Sequence, residues 1–414
     1  MRKIQILSVM TALVFLCSCF GYRSIAQTTN QFPKSDRQVV ILSLDGFRRS
    51  YLDVAKTPNI DSIASVGFLG FLQPSYPSLT FPNHYSMATG LYPNSHGIVT
   101  NMFFDKKLGR YKLGDRKSVE NPAFYGGEPV WNTAERQGVR AASFFWVGSE
   151  TNVNGHQPWS WKKYDSNVPY YDRADTVIKW LSMPKSERPR LIMWYIEEPD
   201  HFGHLYTPES PKTIAKVEQM DSVVGYFLNK LRQLPNRDNV DFILVSDHGM
   251  AAYTPEQSVD LSEYLDRNDF DHIVDGVPSM LYPKKGKLKK VLNDLKKVPN
   301  VTFYRKGDIP KRFHFGSNPR IGEIVVMPNI GTYLYFREGK AKKIVGGAHG
   351  YDNAAPEMKA LFAGFGPDFK QDIRFSSPIP NITIYPLLCR LLSIEPAKND
   401  ASEKDVDKVI NGEE

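Results

Sequence analysis

Residues 37–47 read RQVVILSLDGF, an apolar run that ends in an acid and a glycine. The segment VVILSL is almost continuously apolar, which predicts a strand that is buried on both faces. Asp45 and Gly46 follow at its carboxyl end. Strands of parallel sheets are buried in this way, and their ligands bind beyond the carboxyl ends of the strands. This stretch therefore predicts a parallel sheet with Asp45 at a ligand-binding edge.

The same pattern recurs along the chain, because strand-like segments alternate with amphipathic segments of helical period. Further strands are predicted within 138–148, 191–196 and 241–246, and helices within 57–68, 172–183 and about 212–234. Such alternation predicts an α/β domain whose mostly parallel sheet is flanked by helices. Two of the later strands again end near an acid, Asp200 and Asp247.

The character of the sequence changes from about residue 268 to 340, where strand, helix and several further strands follow one another. This predicts a small α+β insertion or cap with antiparallel strands, carried by one domain over 27–397. The segment 398–414 is polar and charged, and we expect a loosely held tail there.

The first 26 residues have the composition of a secretory signal peptide. A basic start, Arg2 and Lys3, precedes a short apolar run, and the small residues SIA end at Ala26. The run is short for a membrane span and no other apolar stretch reaches 18 residues, so no transmembrane span is expected. We expect cleavage after Ala26 and export to the periplasm or outside. The alternative is a lipid anchor at Cys19, because LCSC resembles a bacterial lipobox.

Composition excludes several classes of protein. Apolar residues make up 41% and charged residues 23%, as in ordinary soluble domains. The net charge is +7, but it is not concentrated in a run that would predict specific nucleic-acid binding. Two of the three cysteines, Cys17 and Cys19, lie in the leader, so cleavage after Ala26 would leave only Cys389 and no intrachain disulfide.

Acids and histidines collect at the predicted strand ends and in one glycine-rich turn. The six are Asp45, Asp200, His204, Asp247, His248 and His349. Carboxylate and imidazole are the zinc ligands available where no cysteine is offered. Six such ligands suit two ions, and two ions clamp the attacking and leaving oxygens of a displacement at phosphorus.

Residues 77–90, PSLTFPNHYSMATG, place Thr80 among residues that are common in turns. Alone, Thr80 would be interpreted as a turn residue. A threonine hydroxyl is a poor nucleophile unless a metal or a base activates it. Beside a two-ion site, Thr80 is predicted to be the nucleophile and a ligand of one ion.

Five motifs in order and spacing resemble the nucleotide pyrophosphatase/phosphodiesterase family of the alkaline phosphatase superfamily, over about residues 38–394. They are LDGFR (44–48), PSLTFPNHYSMATGLYPNSHGI (77–98), EEPDHFGH (197–204), SDHGM (246–250) and GGAHGYDN (346–353). The resemblance implies an alkaline-phosphatase-like fold, a nucleotide or other phosphodiester substrate and two Zn²⁺ ions. One ion would be held by Asp45, Thr80, Asp247 and His248, and the other by Asp200, His204 and His349.

The resemblance also implies how substrate is bound. Asn101 would join the Thr80 backbone N–H on a phosphoryl oxygen. Phe81 and Tyr164 would stack on a nucleobase, with Trp146 close by in the pattern. His84, His96 and His201 fit no ligand position and are predicted to be structural.

Other activities stay open at this point. Sulfatases need C/S-x-P-x-R, whereas this chain has Thr80 and His84 at those positions, which argues against sulfate esters. The neutral Asn101 suits a diester monoanion better than a monoester. Choline-phosphate or lipid head-group esters remain the closest enzymatic alternative, and a metal-holding surface binding module is the non-enzymatic one. Manganese or cobalt could occupy the same ligands.

Overall fold

The computed structural model describes residues 36–337 and 345–413. The predicted signal peptide, the cleavage site after Ala26 and the lipobox cysteine Cys19 lie outside these ranges. Within them, no helix combines the length and apolar character needed to cross a membrane.

The elements are numbered in chain order. The strands are β1 (Gln38–Leu44), β2 (Gly67–Gln73), β3 (Met102–Asp105), β4 (Gly109–Lys112), β5 (Ala141–Phe144), β6 (Ser160–Lys162), β7 (Leu191–Ile196), β8 (Val240–Val245), β9 (Ala251–Tyr253), β10 (Ser258–Asp260), β11 (Phe270–Val274), β12 (Ser279–Pro283), β13 (Val301–Arg305), β14 (Ile324–Pro328), β15 (Tyr333–Tyr335), β16 (Gly346–Ala348), β17 (Ala360–Phe365), β18 (Ile373–Arg374) and β19 (Ile379–Pro380). The α-helices are α1 (Tyr51–Val54), α2 (Pro58–Val66), α3 (Thr80–Thr89), α4 (Pro93–His96), α5 (Arg116–Val119), α6 (Val130–Arg136), α7 (Tyr170–Leu181), α8 (Asp200–Tyr206), α9 (Pro211–Leu231), α10 (Leu288–Leu295), α11 (Ile384–Leu392) and α12 (Glu403–Asn411).

The main sheet is mostly parallel. Its strand order is β18-β2-β17-β8-β1-β7-β5-β6, and β19 also pairs with β2. Only β17 runs antiparallel to its neighbours within this sheet. In the centre, Val39 of β1 pairs with Leu191 of β7 and Asp241 of β8, so the three strands are in register. Their carboxyl ends therefore meet at one edge, which places the residues after them together.

The central strands are apolar because both faces of the sheet are covered. Every residue of β1, β7 and β8 is buried. Alternate residues of a strand point to opposite faces. Val39 and Ile41 join a core that includes residues of α3 and α11, whereas Val40 and Leu42 join a second core that includes residues of α9.

The region after residue 268 contains a separate antiparallel sheet of order β11-β12-β14-β13. Val291 and Leu295 on α10 pack against Leu281 and Ile324 of this sheet. Residues 332–336, TYLYF, lie in the region where antiparallel strands were expected, but β15 within them pairs in parallel with β10.

The expectation of a loosely held tail over 398–414 is wrong. Residues Glu403–Asn411 form α12, and Val406 and Val409 are completely or almost completely buried in the same core as α11. Arg390 of α11 also forms ion pairs with Glu403 and Asp407. The polar residues form the outer face of a helix whose inner face is apolar.

Candidate active site

Three carboxylates lie together at the carboxyl edge of the main sheet. Asp45 directly follows β1, Asp247 comes two residues after β8, and Asp200 begins α8 beyond β7. The Gly46 N–H donates to Asp247 Oδ1 at 3.2 Å, and the Tyr195 hydroxyl donates to Asp45 Oδ2 at 2.6 Å. Gly46 has a φ of +67°, and a Cβ there would lie 2.8 Å from the Cβ of Asp200. A glycine is therefore needed for the strand end to approach α8 so closely.

Each of the three predicted histidine ligands is oriented by a backbone carbonyl. The Nδ1 of His248 lies 2.9 Å from the Gly249 oxygen. The Nδ1 of His204 lies 2.7 Å from the Gly347 oxygen, and that of His349 lies 2.9 Å from the Ser78 oxygen. Because a carbonyl only accepts, each Nδ1 carries the proton. Neutral rings then direct the lone pair of Nε2 into the site, as metal-binding histidines do.

Acceptors face each other around His248. Its Nε2 lies 3.0 Å from Asp247 Oδ2 and 3.5 Å from Asp45 Oδ1. A neutral ring with its proton on Nδ1 has no donor to offer to these oxygens. The arrangement therefore requires a cation, either a proton on the ring or a metal ion.

Asp45, Asp247 and His248 form a first cluster, and Asp200, His204 and His349 form a second cluster in which acceptors also face each other. The Nε2 atoms of His204 and His349 lie 3.1 Å apart, although both rings use Nδ1 as their donor. Asp200 completes the cluster, with Oδ2 at 3.3 Å from His204 Nε2 and Oδ1 at 3.5 Å from His349 Nε2. The rings of His248 and His349 stack with centroids 3.6 Å apart, so the two clusters are continuous.

Unpartnered oxygens show that the residues fit bound cations. Asp45 Oδ1, Asp200 Oδ1 and Asp247 Oδ2 are buried and accept no hydrogen bond from any described residue. A buried carboxylate oxygen without a donor is costly, unless a cation sits beside it. Two overlapping sets offer ligand atoms within 4.8 Å of one another: Asp45, Asp247 and His248, and Asp200, His248 and His349. These sets contain five of the six predicted ligands, and His204 lies 3.3 Å from Asp200. Their oxygen and nitrogen donors are those that zinc takes.

The pKa values reflect this crowding of charge. Burial, then the neighbouring Asp247 and Asp200, raise the pKa of Asp45 well above its usual range. Burial alone would lower the pKa of His204, but Asp200 outweighs it and raises that pKa to about 9. Burial and the adjacent His248 lower the pKa of His349 to about 3. The pKa values of the two histidines in this cluster are therefore shifted in opposite directions.

Thr80 stands at the amino end of α3, directed at the first cluster. Its Oγ1 lies 3.2 Å from His248 Nε2. Behind it, His84 donates from Nδ1 to the Thr80 carbonyl at 3.0 Å and accepts at Nε2 from the Ser43 hydroxyl at 2.8 Å. His84 also lies 3.4 Å from Asp247 and is completely buried, so it positions the loop that carries Thr80. The helix amino end favours negative charge next to Thr80.

A cavity of about 610 Å³ opens in front of Thr80. Phe81, Asn101 and Tyr164, which were predicted to contact substrate, line this cavity. The Asn101 Oδ1 accepts the Phe81 N–H at 3.0 Å. This bond fixes the side chain of Asn101, whose Nδ2 donates no hydrogen bond to any described residue. Asn101 can therefore donate to a group bound in the cavity.

Trp146 is not part of this cavity, and its predicted contact with substrate is wrong. Its side chain is completely buried and its Nε1 donates to the His84 carbonyl at 3.1 Å. Its neighbours Phe145 and Val147 line the cavity instead. Phe145 has a φ of +74°, and the Trp146 side chain that follows it is part of the buried core.

Several cavity residues escaped the sequence analysis. They are Leu113, Arg116, Glu150, Tyr195, Glu197 and Glu198. Glu197 and Glu198 directly follow β7, so their place at a strand end was a signal that could have found them. Glu150 had no such signal: its Oε1 accepts the Tyr164 N–H at 2.9 Å, a contact between loops distant from any motif.

Comparisons with known proteins agree with this site and fold. Residues 39–352 match the family described as type I phosphodiesterase / nucleotide pyrophosphatase. Human ectonucleotide pyrophosphatase/phosphodiesterase 5 superposes with a TM-score of 0.86 at 30% identity, over 91% of this chain and 100% of that one. The chain therefore belongs to the type I phosphodiesterase / nucleotide pyrophosphatase family, and the predicted alkaline-phosphatase-like α/β fold is confirmed.

Sequence relatives are considerably longer than this chain. Venom phosphodiesterase CdcPDE from Crotalus durissus collilineatus is 35% identical over 385 residues, which is 90% of this chain and 46% of that protein. Human ectonucleotide pyrophosphatase/phosphodiesterase family member 1 is 35% identical over 384 residues, 90% of this chain and 41% of that protein. The chain spans about half the length of the curated relatives it matches. A second similar structure is that of murine ectonucleotide pyrophosphatase/phosphodiesterase 5, as an inactive threonine-to-alanine variant in complex with AMP. It superposes with a TM-score of 0.86 at 30% identity, over 90% of this chain and 100% of that one.

Proposed function

We propose that the protein is a nucleotide pyrophosphatase/phosphodiesterase, a hydrolase of phosphodiester and phosphoanhydride bonds that releases nucleoside 5′-monophosphates. One observation carries the proposal. The Thr80 hydroxyl lies 3.2 Å from His248, among buried acceptors that require cations and at the mouth of the cavity lined by Phe81 and Tyr164. Family membership supports the reaction class, and the AMP bound by the murine neighbour supports a nucleotide.

Two Zn²⁺ ions are the proposed cofactors. Asp45, Thr80, Asp247 and His248 would hold one ion, and Asp200, His204 and His349 the other. Bound there, the ions would polarise the phosphoryl oxygens and lower the pKa of the Thr80 hydroxyl. The carbonyl partners of the three histidines support this assignment, because they fix each ring with Nε2 facing the carboxylates.

The chain's own residues provide the nucleophile and its surroundings. The Thr80 oxygen forms a bond to the α-phosphorus, the bond to the leaving group breaks, and the hydroxyl proton is released. Water then cleaves the threonyl ester, which restores the hydroxyl and frees the nucleoside 5′-monophosphate. Asn101 Nδ2 and the Thr80 N–H donate to a non-bridging oxygen, whose charge the amino end of α3 also favours. The inactive threonine variant of the murine neighbour supports the need for a threonine.

The nucleobase would stack on Phe81 and Tyr164. Phe81 is half-buried and Tyr164 has 38% of its surface exposed, so both rings have a free face. Stacking on aromatic rings is tolerant of base identity. The aromatic Tyr170 and the acidic Glu198 line the same cavity, and groups of this kind also hold quaternary ammonium ions. A choline phosphodiester is therefore the second candidate substrate.

Export is proposed from residues 1–26, with a mature chain that begins at Gln27 or, in the alternative, a lipid anchor at Cys19. The relatives named above are venom and ecto-enzymes by name, which supports a site outside the cytoplasm. Mass spectrometry of the processed chain tests this. An unprocessed cytoplasmic chain contradicts export, and a diacylglyceryl group on Cys19 contradicts cleavage after Ala26.

The reaction class is tested by rates on four substrates: ATP, a dinucleoside polyphosphate, AMP and glycerophosphocholine. We expect hydrolysis of the first two, none of AMP, and loss of all activity after chelation with recovery on adding zinc. Faster hydrolysis of glycerophosphocholine than of either nucleotide contradicts the proposed substrate. No hydrolysis of any of the four by the zinc-loaded protein contradicts an enzymatic function. The Thr80→Ala variant, prepared in parallel, controls for contaminating phosphatases.

A further inference from the structure

A buried ion pair lies behind the aromatic wall of the cavity. Arg173, in the first turn of α7, has a side chain that is 0% exposed. Its Nη1 and Nη2 donate to Glu197 Oε2 and Oε1 at 2.5 and 2.9 Å. Glu197 follows β7 and lines the cavity. Because both its oxygens bond Arg173, Glu197 is committed to the pair and is not available as a free base.

The rest of the guanidinium holds the loop that connects Tyr164 to α7. Arg173 Nε donates to the Val168 carbonyl at 3.0 Å, and Nη2 lies 3.5 Å from the Ser166 carbonyl. The other end of this loop is fixed by the bond from the Tyr164 N–H to Glu150. Hydrogen bonds therefore hold this loop both at Tyr164 and at Ser166 and Val168.

The guanidinium also supports the rings themselves. Its Cζ lies 5.1 Å from the ring centroids of both Phe145 and Tyr170. Phe145 in turn meets the Tyr164 ring edge-on, with centroids 5.2 Å apart. Cation–π contacts strengthen when water is excluded, as it is around this side chain. A continuous chain of contacts thus runs from Glu197 through Arg173 and Phe145 to Tyr164.

We propose that Arg173 and Glu197 form a positioning pair that sets the Tyr164 ring in place for stacking on the nucleobase. Arg173 touches no substrate, because its side chain is fully buried. The pair acts through Tyr164 and so governs how well the enzyme distinguishes base-bearing from base-free phosphodiesters. This inference rests on the proposed nucleotide function.

The test compares the p-nitrophenyl ester of thymidine 5′-monophosphate with methyl p-nitrophenyl phosphate, which has no base. The variants are Arg173→Lys, which keeps the charge but loses the planar fork, and Glu197→Gln, which keeps the shape but loses the charge. We expect kcat/KM for the thymidine ester to fall roughly 3- to 30-fold. The loss should come mainly from a higher KM, because the bonds between Arg173 and Glu197 position the Tyr164 ring that stacks on the base. The base-free ester should change less than about 2-fold.

A double-mutant cycle separates positioning from general support of the fold. Tyr164→Ala should lower kcat/KM for the thymidine ester, and Arg173→Lys added to it should cause no further loss. Arg190→Lys is the matched control: Arg190 lies at the opposite end of β7 and bonds the carbonyls of Arg37 and Leu392. We expect this control to leave the ratio of the two substrates unchanged.

The outcomes are distinct. If both esters lose equally, or if the losses from Arg173→Lys and Tyr164→Ala multiply, the pair does not act through Tyr164 and the inference is overturned while the proposed function stands. If the unmodified enzyme shows no preference for the thymidine ester, the nucleotide function fails and the inference with it. Thermal denaturation identifies a variant that has failed to fold, in which case Glu197→Gln alone decides.

Discussion

Replacing Asn101 with alanine should remove one donor to the phosphoryl oxygen without disturbing the fold. In the structure its side chain makes one hydrogen bond to a described residue, accepting the Phe81 N–H at 3.0 Å, and its Nδ2 is left for the cavity. Loss of one such donor costs about 10²- to 10³-fold in kcat, or about 2.7–4 kcal/mol of transition-state stabilisation. We expect that loss in kcat with little change in KM, because the oxygen's charge develops during the reaction.

The substrate comparison makes this prediction specific. Every phosphodiester offers the same oxygen, so Asn101→Ala should reduce turnover of the thymidine ester and of methyl p-nitrophenyl phosphate by the same factor. Asn94→Ala is the control, since Asn94 is also half-buried but bonds Ser317 and Asn318, residues that do not line the active-site cavity. A fall of less than about 5-fold would refute the contact with phosphate. A loss confined to the thymidine ester would show that Asn101 acts only by holding Phe81.

Three further predictions address the other parts of the site. Thr80→Ala should abolish turnover, and metal analysis should show that the variant keeps both ions. A variant that retains more than a few per cent of the wild-type rate contradicts the assignment of Thr80 as the nucleophile. Phe81→Ala should lower kcat/KM for nucleotides roughly 5- to 150-fold, from about 1–3 kcal/mol per stacked base, and should leave kcat/KM for the base-free ester nearly unchanged. Phe104 is a half-buried phenylalanine outside the cavity, so Phe104→Ala should change kcat/KM for neither substrate. His204→Ala and His248→Ala should each bind fewer metal equivalents than the unmodified enzyme, and two full equivalents in either variant contradict that ligand role.

The site was largely foreseeable from the sequence because its ligands follow strands. A parallel strand buried on both faces is a strong apolar signal, and an acid at its carboxyl end lies at a known edge of the sheet. This reasoning identified Asp45, Asp200 and Asp247 before their distances were known. The proposed division of ligands between two ions does not follow from the strand ends alone, because His248 belongs to both groups of candidate ligands.

Other features depend on contacts between distant segments and left little local trace. Neither β2 nor β17 was predicted from the sequence, and these two strands pair with each other across nearly three hundred residues. Trp146 was misplaced because a run of three aromatic residues does not show which one faces a cavity. At Phe145 the backbone has a φ of +74°, a local conformation that the sequence pattern does not show. In α12 the spacing of Val406 and Val409 was a helical signal, hidden by the charges around it.

The ion pair of Arg173 and Glu197 illustrates the same limit. The two residues lie 24 positions apart, and each taken alone suggests an exposed charge. Only the pairing of β7 with its neighbours and the packing of α7 bury the guanidinium beneath Phe145. Residues that carry chemistry are therefore easier to predict from sequence than the residues that hold them in place.

The central claim, displacement at the α-phosphorus of a nucleotide, is tested most directly by hydrolysis of ATP in ¹⁸O-water. The water that cleaves the threonyl ester adds its oxygen to the nucleotide. We therefore predict AMP that carries one ¹⁸O and pyrophosphate that carries none, resolved by mass spectrometry. Formation of ADP and phosphate, or pyrophosphate that carries the label, would contradict the account.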